Sequence, residues 1–209
     1  MDNAVEAVLA DYQARMDAEH KLMDSLSSEE FGRRVDEFLL PVGRDTAVFM
    51  TTLLKSAEAK AVLEIGSSFG YSTIWLADAV RATGGKLTTL ELAANKQAHA
   101  KEMIARAKLS DYVDFRLGDA RALIAELKGP FDFVLLDLWK DLYIPCFDLV
   151  YPKLADGAFV IADNMIAPAS SVPQATQYRR HIHAKDDMDT VLLPIGSGVE
   201  VSRRRTRPV

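Results

Sequence analysis

The stretch FVLLDLWKD, Phe133 to Asp141, runs from an apolar strand into an acid, an indole, a base and a second acid. In an open α/β sheet the carboxyl ends of the strands border the crevice where ligands bind, which places Asp137, Trp139 and Lys140 for chemistry. A second such place is VLEIGSSFGYS, Val62 to Ser72. Glycines at 66 and 70 let the backbone turn sharply and approach a ligand, and a helix starting there directs free amides at it. The spacing E-x-G-x-x-x-G (Glu64, Gly66, Gly70) is not the GxGxxG dinucleotide fingerprint. Glu91 closes the next strand, where an acid accepts hydrogen bonds from both ribose hydroxyls. In GDA, Gly118 to Ala120, Asp119 has two readings. It accepts from an adenine amino group while the Ala120 backbone lies along the ring, or it caps the helix that follows. Together these sites describe a crevice for adenosine without a pyrophosphate.

Elements that alternate in period must hold these residues. Strand-like runs are expected at Ala61–Gly66, Lys86–Leu92, Val113–Asp119, Phe131–Asp137, Gly157–Asp163, Thr190–Ile195 and Val199–Arg204. Helical spacing fills the gaps between the first five, as STIWLADAVRA, ANKQAHAKEMIARAK, ARALIAELK and DLYIPCFDLVYPKL, with Asp141 expected as the cap of the last. Strands alternating with helices imply βαβ units and a parallel sheet. Only Gly196, Ser197 and Gly198 separate the last two strands, which is too short for a crossover helix and demands an antiparallel hairpin. The expected class is therefore α/β: a Rossmann-like, mostly parallel seven-stranded sheet ending in an antiparallel hairpin, with helices on both faces. Residues 1–57 read as a helical lid, with Asp45 as the cap of its best helix, and 58–209 as the core of one domain spanning 1–209.

Composition narrows the function classes. The chain has 209 residues, of which 49% are hydrophobic and 26% charged, enough for one full core. Its formal charge of −5 argues against a general nucleic-acid binder, with RRRTR, Arg203 to Arg207, read as a solvated tail. The single cysteine, Cys146, fits a reducing compartment and reads as a packed helix residue. No apolar run reaches the ~20 residues that span a bilayer. The amino terminus resembles neither a signal nor a transit peptide, so the expected location is the cytoplasm. His181 and His183 stand two apart, wrong for a shared helical face, and are not read as ligands.

In order along the chain, VLEIGSSFGYS, the acid of TTLEL, GDA, VLLDLWKDLY, VIADN and LLPIGSGVEVSRR resemble the cation-dependent O-methyltransferases, the group of catechol and caffeoyl-CoA O-methyltransferases. DLWKDLY is closer to the catechol type. The resemblance implies S-adenosylmethionine as cofactor, bound by Val42, Glu64, Gly66, Tyr71, Ser72, Glu91, Asp119, Ala120, Asp137 and Trp139. It implies Mg²⁺ or another divalent cation held by Asp137, Asp163 and Asn164, whose hard oxygens suit it. Lys140 becomes the general base, or the cation that steadies the incoming oxyanion. The implied acceptor is a small aromatic with adjacent hydroxyls, and bacterial relatives suggest a homodimer. After ADN the chain departs from the family as MIAPASSVP, so the acceptor stays open. A tRNA hydroxyuridine methyltransferase, supported by Arg179, Arg180 and the basic tail, is one alternative. A non-catalytic relative that only binds the cofactor is another, and an NAD-dependent oxidoreductase lacks its glycine motif.

Overall fold

The computed structural model describes residues 2–206. Seven strands form one sheet in the order β3-β2-β1-β4-β5-β7-β6. They are β1 (Ala61–Ile65), β2 (Lys86–Glu91), β3 (Val113–Leu117), β4 (Phe131–Leu136), β5 (Leu154–Ala162), β6 (Met188–Leu193) and β7 (Val199–Arg204). The first five pair in parallel, and β7 runs antiparallel to both β5 and β6. Because β1 is flanked by β2 on one side and β4 on the other, the strand order reverses there. A crevice opens at such a switch point.

Both faces of the sheet are covered, which is why β1 and β4 read as nearly continuous apolar runs. Successive residues alternate between two cores. Val62, Phe133 and Leu135 join the face covered by α1 (Asn3–Ser25), α3 (Arg44–Ser56), α4 (Tyr71–Thr83) and α5 (Ala94–Arg106). Leu63, Ile65, Val134 and Leu136 join the opposite face, under α6 (Ala120–Glu126), α7 (Tyr143–Val150) and α8 (Val172–His183). The amino-terminal segment is helical as expected. In α1, Val5, Val8, Tyr12 and Met16 form a buried stripe at helical spacing, while α2 (Ser28–Arg34) buries none of its residues. Among the described residues no helix is long and apolar enough to cross a membrane.

Several local expectations change. Gly43, at φ 80°, precedes α3 as its cap, and Asp45 lies inside the first turn, where its charge still favours the helix dipole. Asp141 does not cap α7: residues Lys140–Leu142 form a 3-10 turn first. β5 starts three residues early, at Leu154, and β6 shifts to Met188–Leu193 because its pairing with β7 begins at Met188 and Arg204. The basic tail is not simply solvated. Arg203 and Arg204 belong to β7, and buried Arg204 donates to the Tyr151 and Leu154 carbonyls and to Asp187. Arg205 pairs with Asp189, whereas Arg207 lies outside the described residues. Helix α8 was not anticipated. Its histidines meet acids, His181 at Asp148 and His183 at the fully buried Glu200.

Candidate active site

The tips of β1, β4 and β5 are laced together by amides beyond the regular ladder. The amides of Gly66 and Ser67 donate to the Leu90 carbonyl, that of Asp137 to Ile65, and that of Asp163 to Leu136. This aligns the glycine loop, the first acid and the second acid along one edge. Gly66 is required there for two reasons. Its φ is +94°, and a Cβ would stand 2.2 Å from the Asp137 carbonyl oxygen.

On the glycine-loop side every acid has donors. Glu91 accepts from the Ser68 and Ala93 amides, each at 2.8 Å, leaving each carboxylate oxygen a further lone pair toward the crevice. Asp119 caps α6 by accepting from the Arg121 and Ala122 amides, and Ala120 is the helix's first residue. Glu64 lies one layer lower than a ligand-contacting residue would. It is 0% exposed and accepts 2.6 Å bonds from the hydroxyls of Ser72, Thr73 and Thr89. Burial pushes its carboxyl up to about 7 against those three bonds. Its route to a cofactor therefore runs through Ser72 and the loop. Val42, Gly66, Ser68, Tyr71, Ser72 and Asp137 border a narrow cleft, together with Leu39 and Leu40 of the lid segment.

Across the switch point the acids are poorly supplied. Lys140 Nζ stands 3.7 Å from Asp137 Oδ1 and donates to the Leu138 carbonyl at 3.0 Å and to the Tyr143 hydroxyl at 2.5 Å. Tyr143, fully buried, donates in turn to the Asp163 carbonyl at 3.1 Å. Asp163 Oδ1 is buried and has no hydrogen-bond partner among the described residues. Burial, then the charge of Asp137, push the Asp163 carboxyl up to about 8; burial also raises Asp137. The Lys140 ammonium is lowered by burial, against the pull of both acids. Asn164 follows in the left-handed region at φ 58°. Among the described residues no three His, Cys, Asp or Glu side chains form a metal set. Two carboxylates with an orphaned oxygen and an adjacent amide nonetheless match the donors a hard divalent cation takes. Trp139, in the turn between Asp137 and Lys140, is 58% exposed.

Three participants escaped sequence reasoning. Leu92 is 72% exposed directly after Glu91, an apolar surface beside a ribose acceptor, and its signal was the apolar residue at a strand end. Tyr143 carries the bond between lysine and β5 and was legible only as an aromatic in DLY. Tyr12 reaches the glycine loop from 57 residues away, and no local pattern announces it.

A family model described as O-methyltransferase matches residues 13–205. The catechol O-methyltransferase of Niastella koreensis is 34% identical over 131 residues, 61% of this chain and 59% of that protein. The caffeoyl-CoA O-methyltransferase 1 of Eucalyptus globulus is 26% identical over 186 residues, 79% of this chain and 75% of that one. The match thus spans less than two thirds of the length of the catechol relative. A crystal structure of the O-methyltransferase from Bacillus cereus in complex with SAH superposes with a TM-score of 0.76 at 26% identity, covering 98% of this chain and 92% of that chain.

Proposed function

The chain belongs to the O-methyltransferase family, and from that premise we propose that it moves a methyl group from S-adenosylmethionine to a hydroxyl of a small aromatic with adjacent hydroxyls. A divalent cation such as Mg²⁺ is part of the reading. The observation that carries it is the buried cluster Asp137, Lys140 and Asp163 at the tips of adjacent strands, facing the glycine loop, with one carboxylate oxygen left without a donor. Supporting it are relatives named as catechol and caffeoyl-CoA O-methyltransferases.

Each residue then has a task. Glu91 takes the ribose hydroxyls on its remaining lone pairs, and the Ser68 amide holds that carboxylate still. Leu92 and Trp139 offer apolar surface to the adenine, while Asp119 and Ala120 border its edge. Val42, Gly66, Tyr71 and Ser72 shape the methionine end, with Glu64 bracing Ser72 from below. Asp137, Asp163 and Asn164 supply the cation's oxygens. When bound, S-adenosylmethionine would supply the electrophilic methyl and a cation held by these oxygens would supply Lewis-acid help in ionising the acceptor hydroxyl.

Lys140 is the group that receives the acceptor's proton as general base or, as a cation, steadies the acceptor's oxyanion. Burial lowers its affinity for a proton of its own, and Tyr143 with the Leu138 carbonyl fixes where Nζ points. Leu40, Trp139 and Ile166, all exposed apolar side chains, give the site an apolar border against water. Positioning dominates such a transfer, because the reacting partners bring opposite charges that cancel.

Of the basic residues that would favour an RNA acceptor, only Arg179 and Arg204 are engaged inside the fold, while Arg180, Arg203 and Arg205 are exposed. Arg179 pairs with Glu200 at 2.6 Å, and Arg204 and Arg205 meet Asp187 and Asp189. The test is labelled methyl transfer to a panel of catechols, with the protein first stripped of cations and then given Mg²⁺. Labelling restored by Mg²⁺ is expected. Labelling unaffected by stripping would remove the cation from the reading, and labelling of tRNA alone would replace the acceptor.

A further inference from the structure

Tyr12, Arg15 and Glu19 follow one another on one face of α1 at spacings of three and four. Their partners are the walls of the cleft. Tyr12, 1% exposed, donates its hydroxyl to the Phe69 carbonyl at 2.6 Å, and its ring meets Tyr71 edge-on at 5.7 Å. A Cβ on Gly70 would stand 3.1 Å from the Tyr12 oxygen and 2.7 Å from the Ala100 Cβ, so the second glycine of the loop marks where α1 and α5 press against it. The Arg15 guanidinium lies 4.0 Å above the Phe69 ring and donates to the Glu37 carbonyl at 3.2 Å. Glu19 binds Arg15 at 2.6 Å and accepts the Leu39 amide at 2.7 Å. One helical face is thereby tied to both the glycine loop and the lid segment that opposes it.

We infer that Tyr12 and Arg15 are positioning residues that set S-adenosylmethionine affinity through Phe69 without touching the ligand. The inference rests on the proposed methyl transfer. The loop has reason to relax when untied: Ser68, a residue with a side chain, is held at φ 46°, a sparsely populated conformation that costs free energy. Its amide is the donor that orients Glu91. The Tyr12 bond fixes the very next carbonyl and so keeps Ser68 in place before any ligand arrives. Preorganisation of this kind shows in affinity, because binding no longer bears the cost of ordering the loop.

The test uses the full chain and S-adenosylhomocysteine as probe, with Kd from calorimetry beside thermal melting. Tyr12→Phe keeps the ring and loses one hydrogen bond; its Kd should rise roughly five- to tenfold. Arg15→Ala should weaken binding in the same direction. Val8→Ala is the control, buried on the same helix without a bond to the loop. It should lower the melting temperature and leave Kd unchanged. With an acceptor in hand, Tyr12→Phe should raise KM for S-adenosylmethionine at constant kcat. An unchanged Kd in Tyr12→Phe, or an equal loss in Val8→Ala, overturns the positioning role while the proposed function stands. Failure of the unaltered chain to bind the probe overturns both.

Discussion

The two sides of the crevice treat their carboxylates in opposite ways. On the glycine-loop side Glu64, Glu91 and Asp119 are each met by two or more donors from the protein itself. On the β4–β5 side Asp137 has the ammonium of Lys140 at 3.7 Å, Asp163 has the Asn164 amide, and one oxygen of Asp163 is buried with no partner among the described residues. Buried polar atoms are nearly always satisfied, and an orphan is costly unless something else supplies the missing bond. The first side is complete as folded. The second is built short of positive charge, which is what the proposed cation would supply.

The strongest test of that contrast is Lys140→Ala. Turnover should fall about 10²- to 10⁴-fold, while the Kd for S-adenosylhomocysteine measured by calorimetry holds. Equal loss of both would mean the two sides are one unit. Next in size is the pH response of the completed side. The Glu64 carboxyl is raised from 4.5 to about 7, so its folded form binds a proton that its unfolded form has released. That contribution to stability is fully present below pH 4.5 and lost as pH rises through about 7, by roughly 3 kcal/mol. Glu64→Gln should flatten this slope, read as urea unfolding of both proteins across that window; parallel slopes would refute it.

On the deficient side, Asp163→Asn should raise the Mg²⁺ concentration needed for thermal stabilisation about 100-fold, the scale on which ligand-sphere changes act. An unaltered Mg²⁺ titration would remove Asp163 from the cation's ligands. Glu91→Ala should raise the Kd for S-adenosylhomocysteine about tenfold or more without altering the Mg²⁺ response, since charged hydrogen bonds are lost on one side only. The smallest effect is an absence. Cys146 is buried and its thiol is pushed up to about 11 by burial, so iodoacetamide at pH 8 should label the unfolded chain and spare the native one.

The sheet was legible because its signals are local. The short apolar runs of β1 and β4, glycine punctuation and the three-residue hairpin link all sit within a few residues of what they decide. Asp137, Asp163 and Asn164 stood out for the same reason, as polar residues following apolar strands, while their proposed metal role and that of Lys140 came from the family resemblance. What escaped depends on partners far along the chain. Helix α8 buries only Ala175, Tyr178 and Ile182, a thin stripe masked by the arginines and histidines around it. Arg204 reads as part of a charged tail until β7 places it beside Asp187 and two carbonyls. Glu64 sits in the glycine motif like a ligand contact, yet strand alternation turns it inward, toward three hydroxyls from α4 and β2.

The missing Cβ at Gly66 also bears on how such a protein can change. The backbone oxygen it makes room for belongs to Asp137, so at this point the glycine loop packs directly on the main chain of the β4 tip. A substitution at 66 meant to admit a different cofactor would push the β4 tip and carry Asp137 with it. Acceptor choice has no such constraint, since Leu40, Trp139 and Ile166 face outward on separate segments. Laboratory evolution of this chain should therefore yield new acceptors readily and new cofactors hardly at all.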